Sequence, residues 1–293
     1  MPGTATPGSR ASRFASALLG VTLGTWLETF VCFNFCCLTG DVLLAHSENH
    51  FRHPAEYIPL AFSLAAAGLL SAALLAFLRF RWTRAWRLTG FLIGWLSVLV
   101  GIAGVVYHLD SNFFYARTLK SLTYAAPFAA PLAYVGLGCL LIMNRMVPER
   151  SREWAQWILF FTLGGFAGNF ALSLADHATN GFFRWTEWSP VISSAIAVGF
   201  LLVVLLAGLT RVFLKWCYAV LVLQIAVGIA GFLLHALADL HGLSSNLFAN
   251  VLSGAPPFAP LLFPNLAILG FIGLCALESS RNENFTSNSA GPV

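Results

Sequence analysis

The stretch GIAGVVYH, residues 101–108, recurs as GIAGFLLH at residues 228–235. Five of the eight positions are identical between the two copies. Both copies lie within long apolar stretches, and both end on a histidine. Self-similarity of this kind, far apart in one chain, is typical of a duplicated structural unit. The sequence therefore predicts a fold built from two copies of one apolar unit.

Composition indicates a protein of the lipid bilayer. The chain has 293 residues, of which 58% are hydrophobic and 10% charged, and its mean hydropathy is +0.77. A soluble domain carries roughly a quarter charged residues. The apolar stretches are long enough to cross a hydrocarbon layer of about 30 Å as helices, and they lack the period-2 alternation of a membrane barrel. Eight helical spans are predicted, at about residues 14–45, 57–78, 89–108, 122–144, 155–177, 189–210, 213–238 and 256–277.

The basic residues predict how the chain is oriented. Twelve lie in one set of termini and loops: Arg10, Arg13, Arg79, Arg81, Arg84, Arg87, Arg145, Arg150, Arg152, Arg211, Lys215 and Arg281. Four lie in the opposite set: Arg52, Arg117, Lys120 and Arg184. Because lysine and arginine accumulate in cytoplasmic loops, both termini are predicted to be cytoplasmic, in a multi-pass protein of the cell (inner) membrane. The net charge of +4 reflects this distribution and does not indicate nucleic-acid binding.

The outer loops support the same duplication. HSENHFRHPAEYIP, residues 46–59, and HATNGFFRWTEWSP, residues 177–190, both fit H-x4-F-x-[HR]-x2-E-[YW]-x-P without a gap. The offset along the chain is nearly the same as that of the glycine motif. Two tandem four-helix units follow, related by a pseudo-twofold axis along the membrane normal, because an even number of spans inserts both copies the same way up. The predicted boundaries are a tail at 1–13, units at 14–147 and 148–279, and a tail at 280–293.

Four histidines close alternate spans at one depth. His46, His108, His177 and His235 end the first, third, fifth and seventh spans. In an up-down-up-down bundle, the first and third helices are diagonal and run the same way. His46 should then face His108, and His177 should face His235. Two imidazoles on opposite sides of an iron porphyrin form a low-spin b-type haem site. The sequence thus predicts a haem b cytochrome in electron transport, with a membrane redox partner or complex subunits.

Glycines and arginines complete this predicted site. Gly101 and Gly104 precede His108 at helical spacing, and Gly228 and Gly231 precede His235 in the same way. Such a bare stripe permits close approach of a porphyrin edge, or of another helix, since small residues line membrane helix contacts. At the predicted outer surface, the haem propionates would meet two arginines in particular, Arg117 and Arg184.

Three alternatives remain open on the sequence alone. His46, His50 and His53 lie at i, i+4 and i+7, so a continuing helix would place three metal ligands on one face. Prolines in the outer parts of spans 4 and 8 favour broken helices that free backbone carbonyls, which suits a transporter with its site between the repeats. The glycine stripes also fit the contact faces of a subunit in a larger complex. No catalytic residue is assigned.

Polar residues inside the spans are further candidates. Glu28 lies well inside the first span and is expected to have no basic residue nearby, and Gln224 lies in the seventh span. An intramembrane carboxylate is a functional candidate by default. Glu56 and Glu187 precede the second and sixth spans. Carboxylates at that position are favoured by the helix dipole, so they are predicted to cap these helices.

Overall fold

A computed structural model describes residues 22–111, 113–118, 126–179, 181–207, 210–242 and 244–289. Helices are the regular secondary structure throughout these ranges. The eight long ones are α1 (Leu23–Ser47), α2 (Tyr57–Phe80), α3 (Thr83–Asp110), α4 (Leu132–Met146), α5 (Arg152–Thr179), α6 (Trp188–Leu206), α7 (Arg211–Leu240) and α8 (Leu262–Ser289). Short helical segments separate some of them: Pro54–Glu56, Phe113–Ala116, Trp185–Glu187, Leu247–Ser253 and Ala259–Leu261.

Seven of the long helices are long and apolar enough to cross a membrane, all except α4. The 15 residues of α4 are too few to span the hydrocarbon core alone. The predicted fourth span, 122–144, begins outside the described residues, as do the tail at 1–13 and the first residues of the span 14–45. A polypeptide with seven such helices is a polytopic membrane protein by length and composition. Many leucines also point outward, among them Leu64, Leu75, Leu92 and Leu99, as suits a surface in contact with lipid.

Helix contacts follow the same order in the two halves of the chain. In the first half α1 packs on α2, α2 on α3, α3 on α4, and α4 returns to α1. In the second half α5 packs on α6, α6 on α7, α7 on α8, and α8 returns to α5. Each half is thus a closed ring of four helices. The predicted diagonal position of α1 to α3 and of α5 to α7 follows from this order.

The two halves meet along α1, α4, α5 and α8. The helix contacts between them include α4 with α5, α8 with α1, and the short Leu247–Ser253 segment with α1. On the α1–α8 side Asn34 Nδ2 donates to Asn265 Oδ1 at 3.1 Å, and Asn265 Nδ2 donates in return to Asn34 Oδ1. Amide pairs of this kind join membrane helices because both partners find a hydrogen bond away from water.

A polar tyrosine lies at the centre of the first ring. Tyr134 on α4 is buried, and its hydroxyl lies 2.5 Å from Ser63 Oγ on α2. Its backbone oxygen accepts from Ser97 Oγ on α3 at 2.7 Å. The ring packs against Phe35 of α1 and Phe62 of α2. One residue therefore contacts all three other helices of its half, which sets how deep α4 sits in the bundle.

The turns after α1 and α5 have the same local conformation. His50 and Phe51 have φ of 62° and 49°, and Gly181 and Phe182 have 72° and 54°. The Phe51 amide donates to His46 O, and the Phe182 amide to His177 O, each at 3.0 Å. Phe51 stacks on Tyr57 at 4.5 Å between ring centroids, and Phe182 stacks on Trp188 at 3.9 Å. These left-handed residues end α1 and α5 just after their histidines.

The chain's last helix, α8, is continuous to Ser289. The part of it that is apolar enough to cross a membrane ends at Arg281. The predicted tail from residue 280 therefore begins within this helix, and its place outside the membrane stays a prediction.

Candidate functional site

The histidines at the ends of α1 and α3 lie side by side. The ring centroids of His46 and His108 are 6.4 Å apart, and the ring planes are inclined by 79°. Both side chains are half-buried at one end of the first helix ring. The two imidazoles, which the sequence predicts to face each other, are thus close in space; their predicted role as haem ligands stays a prediction.

Each ring of this pair is oriented through its Nδ1 atom. His108 Nδ1 lies 3.0 Å from the carbonyl oxygen of Pro127. A carbonyl only accepts, so this nitrogen must carry the proton, and Nε2 of the neutral ring keeps its lone pair. His46 Nδ1 lies 3.5 Å from Glu56 Oε2, an ion-pair contact too long for a strong hydrogen bond. An Nδ1 atom bonded to a carbonyl, as in His108, is typical of histidines that ligate a metal through Nε2.

The second half repeats this arrangement. His235 Nδ1 lies 2.9 Å from the carbonyl oxygen of Pro256, and His177 Nδ1 lies 3.8 Å from Glu187 Oε2. His177 lies near the end of α5 and His235 near the end of α7, as His46 and His108 do on α1 and α3. The molecule therefore carries two histidine pairs, each with one proline carbonyl and one glutamate.

The glutamates of these two clusters do not cap helices with their side chains. Glu56 and Glu187 occupy the N-cap positions of α2 and α6, but neither makes a side-chain capping hydrogen bond. The prediction that they cap through their carboxylates is wrong, because the carboxylates turn toward the histidines. The Oε2 atom of each is buried and has no hydrogen-bond partner. Buried carboxylate oxygens thus lie at corresponding positions beside the histidines of the two halves.

A metal site built from protein side chains alone is not present in the described part of the chain. No group of three or more histidine, cysteine, aspartate or glutamate side chains there has the arrangement needed to hold an ion. The alternative with His46, His50 and His53 on one helix face is wrong, because α1 ends at Ser47. His50 adopts a left-handed conformation in the turn that follows. A haem needs only two protein ligands, so this finding does not bear on it.

The four predicted glycines lie in contacts between helices. A Cβ at Gly101 would lie 2.9 Å from Pro131 O, and one at Gly104 would lie 2.8 Å from Pro131 Cβ. In the second half, a Cβ at Gly228 would lie 2.7 Å from Pro260 O, and one at Gly231 would lie 2.9 Å from Pro260 Cβ. These glycines let α3 and α7 approach the proline-containing starts of α4 and α8. Their predicted contact with a porphyrin edge stays a prediction.

The arginines expected near the propionates are exposed. Arg184 is the N-cap of the short Trp185–Glu187 segment that leads to α6. Arg117 follows the short helix after α3, and its Nε donates to Phe114 O at 3.3 Å. Both lie in loops at the end of the bundles that carries the histidines. Lys120, the other basic residue of that first-half loop, lies outside the described residues.

Glu28 has a basic partner that the sequence does not suggest. Arg145 Nη1 donates to Glu28 Oε2 at 2.7 Å, and Arg145 Nη2 donates to Glu28 Oε1 at 2.6 Å. Both side chains are 0% exposed. The expectation that Glu28 has no nearby basic residue is therefore wrong, and so is the placement of Arg145 in a loop. Arg145 lies in the last turn of α4 and points back into the bundle.

Gln224, the other polar residue predicted inside a span, is fully buried on α7. Its Nε2 donates to the Ser193 carbonyl of α6 at 3.0 Å, while its Oε1 is buried without a hydrogen-bond partner. Gln224 therefore joins neighbouring helices in the second ring. It lies in the helix interior and not beside the histidine pair.

The two histidine clusters present the same set of chemical groups. Each half holds two imidazoles that belong to different helices, next to a carboxylate, at one end of an apolar bundle. Comparisons with protein-family models, with curated proteins and with solved structures find no match. Function must accordingly be argued from the site.

Proposed function

We propose that the chain crosses the membrane eight times as two tandem four-helix units related by a pseudo-twofold axis along the membrane normal. The order of helix contacts supports this proposal. A twofold axis that superposes α1 on α5 and α4 on α8 would also superpose the α4–α5 contact on the α8–α1 contact, and both contacts are present. Seven crossings are the long apolar helices. The remaining crossing, the fourth along the chain, combines the short α4 with the proline-containing segment before it. Both termini then lie in the cytoplasm of a protein of the cell (inner) membrane.

Labelling of single cysteines tests this topology. Arg150 precedes α5 at one end of the bundles, and Ser245 follows α7 at the other; both side chains are exposed. In intact cells, a membrane-impermeant maleimide should modify the Ser245→Cys variant and should not modify Arg150→Cys until the membrane is opened. Equal labelling of both variants from outside would contradict the proposed orientation.

Within this architecture we propose that each unit holds a b-type haem between its histidine pair, in a membrane protein of electron transport. One observation carries the proposal: the His46–His108 ring separation of 6.4 Å. Two imidazole nitrogens bound to one iron lie about 4 Å apart, twice a metal–histidine bond, which places the ring centroids about 6 Å apart. The proline carbonyls bind Nδ1 of His108 and His235, so Nε2 of each ring would be the atom that holds the iron. The partner would be a membrane redox protein or the other subunits of a complex.

Absorbance of the purified protein tests this function directly. The full chain, produced with an adequate haem supply, should show a Soret band from two haems. His108→Ala and His235→Ala should each remove about half of it, because each substitution removes one of the two histidines that would hold one haem. His241→Ala is the matched control: His241 follows α7 at the same end, and its Nδ1 contacts Leu237 O within its own helix. The control should keep the full band.

The spectrum can also reject the proposal. A folded protein without a Soret band would contradict haem binding and leave the topology untouched. Equal loss in the His241→Ala control would show that the band does not depend on the pairs. A transporter site at the proline breaks has less support, since the Pro127 and Pro256 carbonyls already have histidine partners.

A further inference from the structure

The turn between α2 and α3 carries a dense cluster of exposed cationic side chains. Residues 79–87 read RFRWTRAWR and include four arginines and no acidic residue. Arg79, Arg81, Arg84 and Arg87 are all exposed. None of the ion pairs among the described residues includes any of them. The cluster lies at the end of the bundle opposite the histidine pairs, since α2 ends and α3 begins there.

This turn forms an open groove. Its volume is about 500 Å³, and it is lined by Arg81, Trp82, Thr83, Arg84, Ala85 and Leu88. Trp82 and Leu88 are each 60% exposed. Guanidinium groups and a hydroxyl thus stand directly beside an indole and an aliphatic side chain. A ligand that fits this combination has an anionic head and an apolar body, and tryptophan is typical of the headgroup level of a membrane.

Arg81 stands where α2 ends. It adopts the left-handed conformation of a helix C-cap, with φ of 57°, a position that favours glycine. The corresponding stretch of the second half contains a glycine in sequence, Gly208. The Arg81 guanidinium carbon lies 5.1 Å from the centroid of the Phe77 ring. This exposed guanidinium therefore lies beside an apolar ring at the surface of the turn.

We propose that this turn binds the headgroup of an anionic phospholipid. Arg81 and Arg84 hold the phosphate, since guanidinium matches phosphate oxygens with two parallel hydrogen bonds. The acyl chains lie along Trp82 and Leu88. Clusters of arginine beside membrane helices recognise anionic lipids in this manner. The site is separate from the histidine pairs, and it stands whether or not haem is bound there.

Lipid titration of the full chain in a neutral detergent tests the site. The probes are phosphatidylglycerol, phosphatidylcholine and inorganic phosphate, with native mass spectrometry as the readout of bound molecules. Phosphatidylglycerol should bind, and the other two should not. Binding by the Arg81→Gly/Arg84→Gln variant should be about thirtyfold weaker, because each arginine near an anionic group contributes about a factor of five. Arg81→Gly suits the left-handed backbone, so the variant should fold.

A matched charge control and a second variant complete the test. Arg150→Gln/Arg152→Gln removes two exposed arginines from the same end of the molecule, and it should bind phosphatidylglycerol as the unmodified chain does. Arg84→Gln alone should weaken binding about fivefold. Equal binding of phosphatidylcholine, saturation by phosphate alone, or an equal loss in the control would each overturn the proposal. Unchanged binding by Arg84→Gln would overturn it as well.

Discussion

Replacing Glu28 with leucine should lower the free energy of unfolding by about 3–5 kcal/mol, the usual effect of removing one partner of a buried ion pair. The Arg145 guanidinium would then lie among apolar side chains without its carboxylate. Arg145→Leu should have an effect of similar size, because it leaves the Glu28 carboxylate alone. Reversible unfolding in mixed detergent micelles, followed by circular dichroism, measures both effects.

The surroundings of Arg145 explain why the effect is large. Its guanidinium carbon lies 3.6 Å from the centroid of the Trp86 ring. A Cβ on Gly90 would clash with the same group. Asn144 Nδ2 lies 3.4 Å from Glu28 Oε2, and Asn144 Oδ1 accepts from Trp154 Nε1 of the second half at 3.2 Å. The ion pair is therefore enclosed on several sides, and neither charge has a route to water.

The second half supplies the control for this prediction. Aligning His46 of α1 with His177 of α5 places Glu28 opposite Leu159. Aligning the prolines before α4 and α8, Pro131 and Pro260, places Arg145 opposite Leu274 in the same way. Both leucines are fully buried. Apolar side chains therefore occupy the corresponding positions of the second ring.

The double variant Glu28→Leu/Arg145→Leu should thus recover most of the stability that each single variant loses. Well-packed apolar side chains replace buried ion pairs at little cost, because no charge is then left without its partner. The same micelle unfolding experiment measures the recovery. A double variant as unstable as the single ones would contradict this.

Replacing Gly138 with alanine should lower the free energy of unfolding by about 1–3 kcal/mol, the usual cost of overpacking. A Cβ at Gly138 on α4 would clash with the Gly94 carbonyl of α3 and lie 3.0 Å from the Val98 amide nitrogen. Backbone atoms cannot rotate away as a side chain can, so the two helices must separate. Unfolding in the same mixed micelles measures the change.

Gly136 is the matched control on the same helix. An added Cβ there meets no heavy atom within 4 Å. Gly136→Ala should therefore keep or raise stability, by up to about 1 kcal/mol, because alanine favours helix more than glycine does. If Gly138→Ala were as stable as Gly136→Ala, the close approach of α3 and α4 would not be needed for folding.

Part of the site follows from the sequence because it depends on position along a helix. His46 and His108 lie at the ends of long apolar runs, so their predicted common depth can be counted from helix rise. The residues that contact the Nδ1 atoms of these histidines could not be predicted by counting along a helix. Pro127 lies 19 residues after His108, outside the helix that contains this histidine. The role of Glu56 was misassigned for a related reason: its N-cap position suggested a local bond, but the Nδ1 atom of His46 lies within 3.5 Å.

Hydropathy, charge distribution and the two repeated motifs were sufficient for the membrane class, for most helix boundaries and for the histidines at one end of α1 and α3. These features arise from short stretches, in which side-chain transfer energies and helix geometry act locally. The Glu28–Arg145 pair joins residues 117 positions apart, and the Pro131 contacts of Gly101 and Gly104 join separate helices. Such contacts depend on how α1, α3 and α4 pack around one another. Packing is set by the mutual fit of all the side chains between these helices, so no local sequence pattern predicts it.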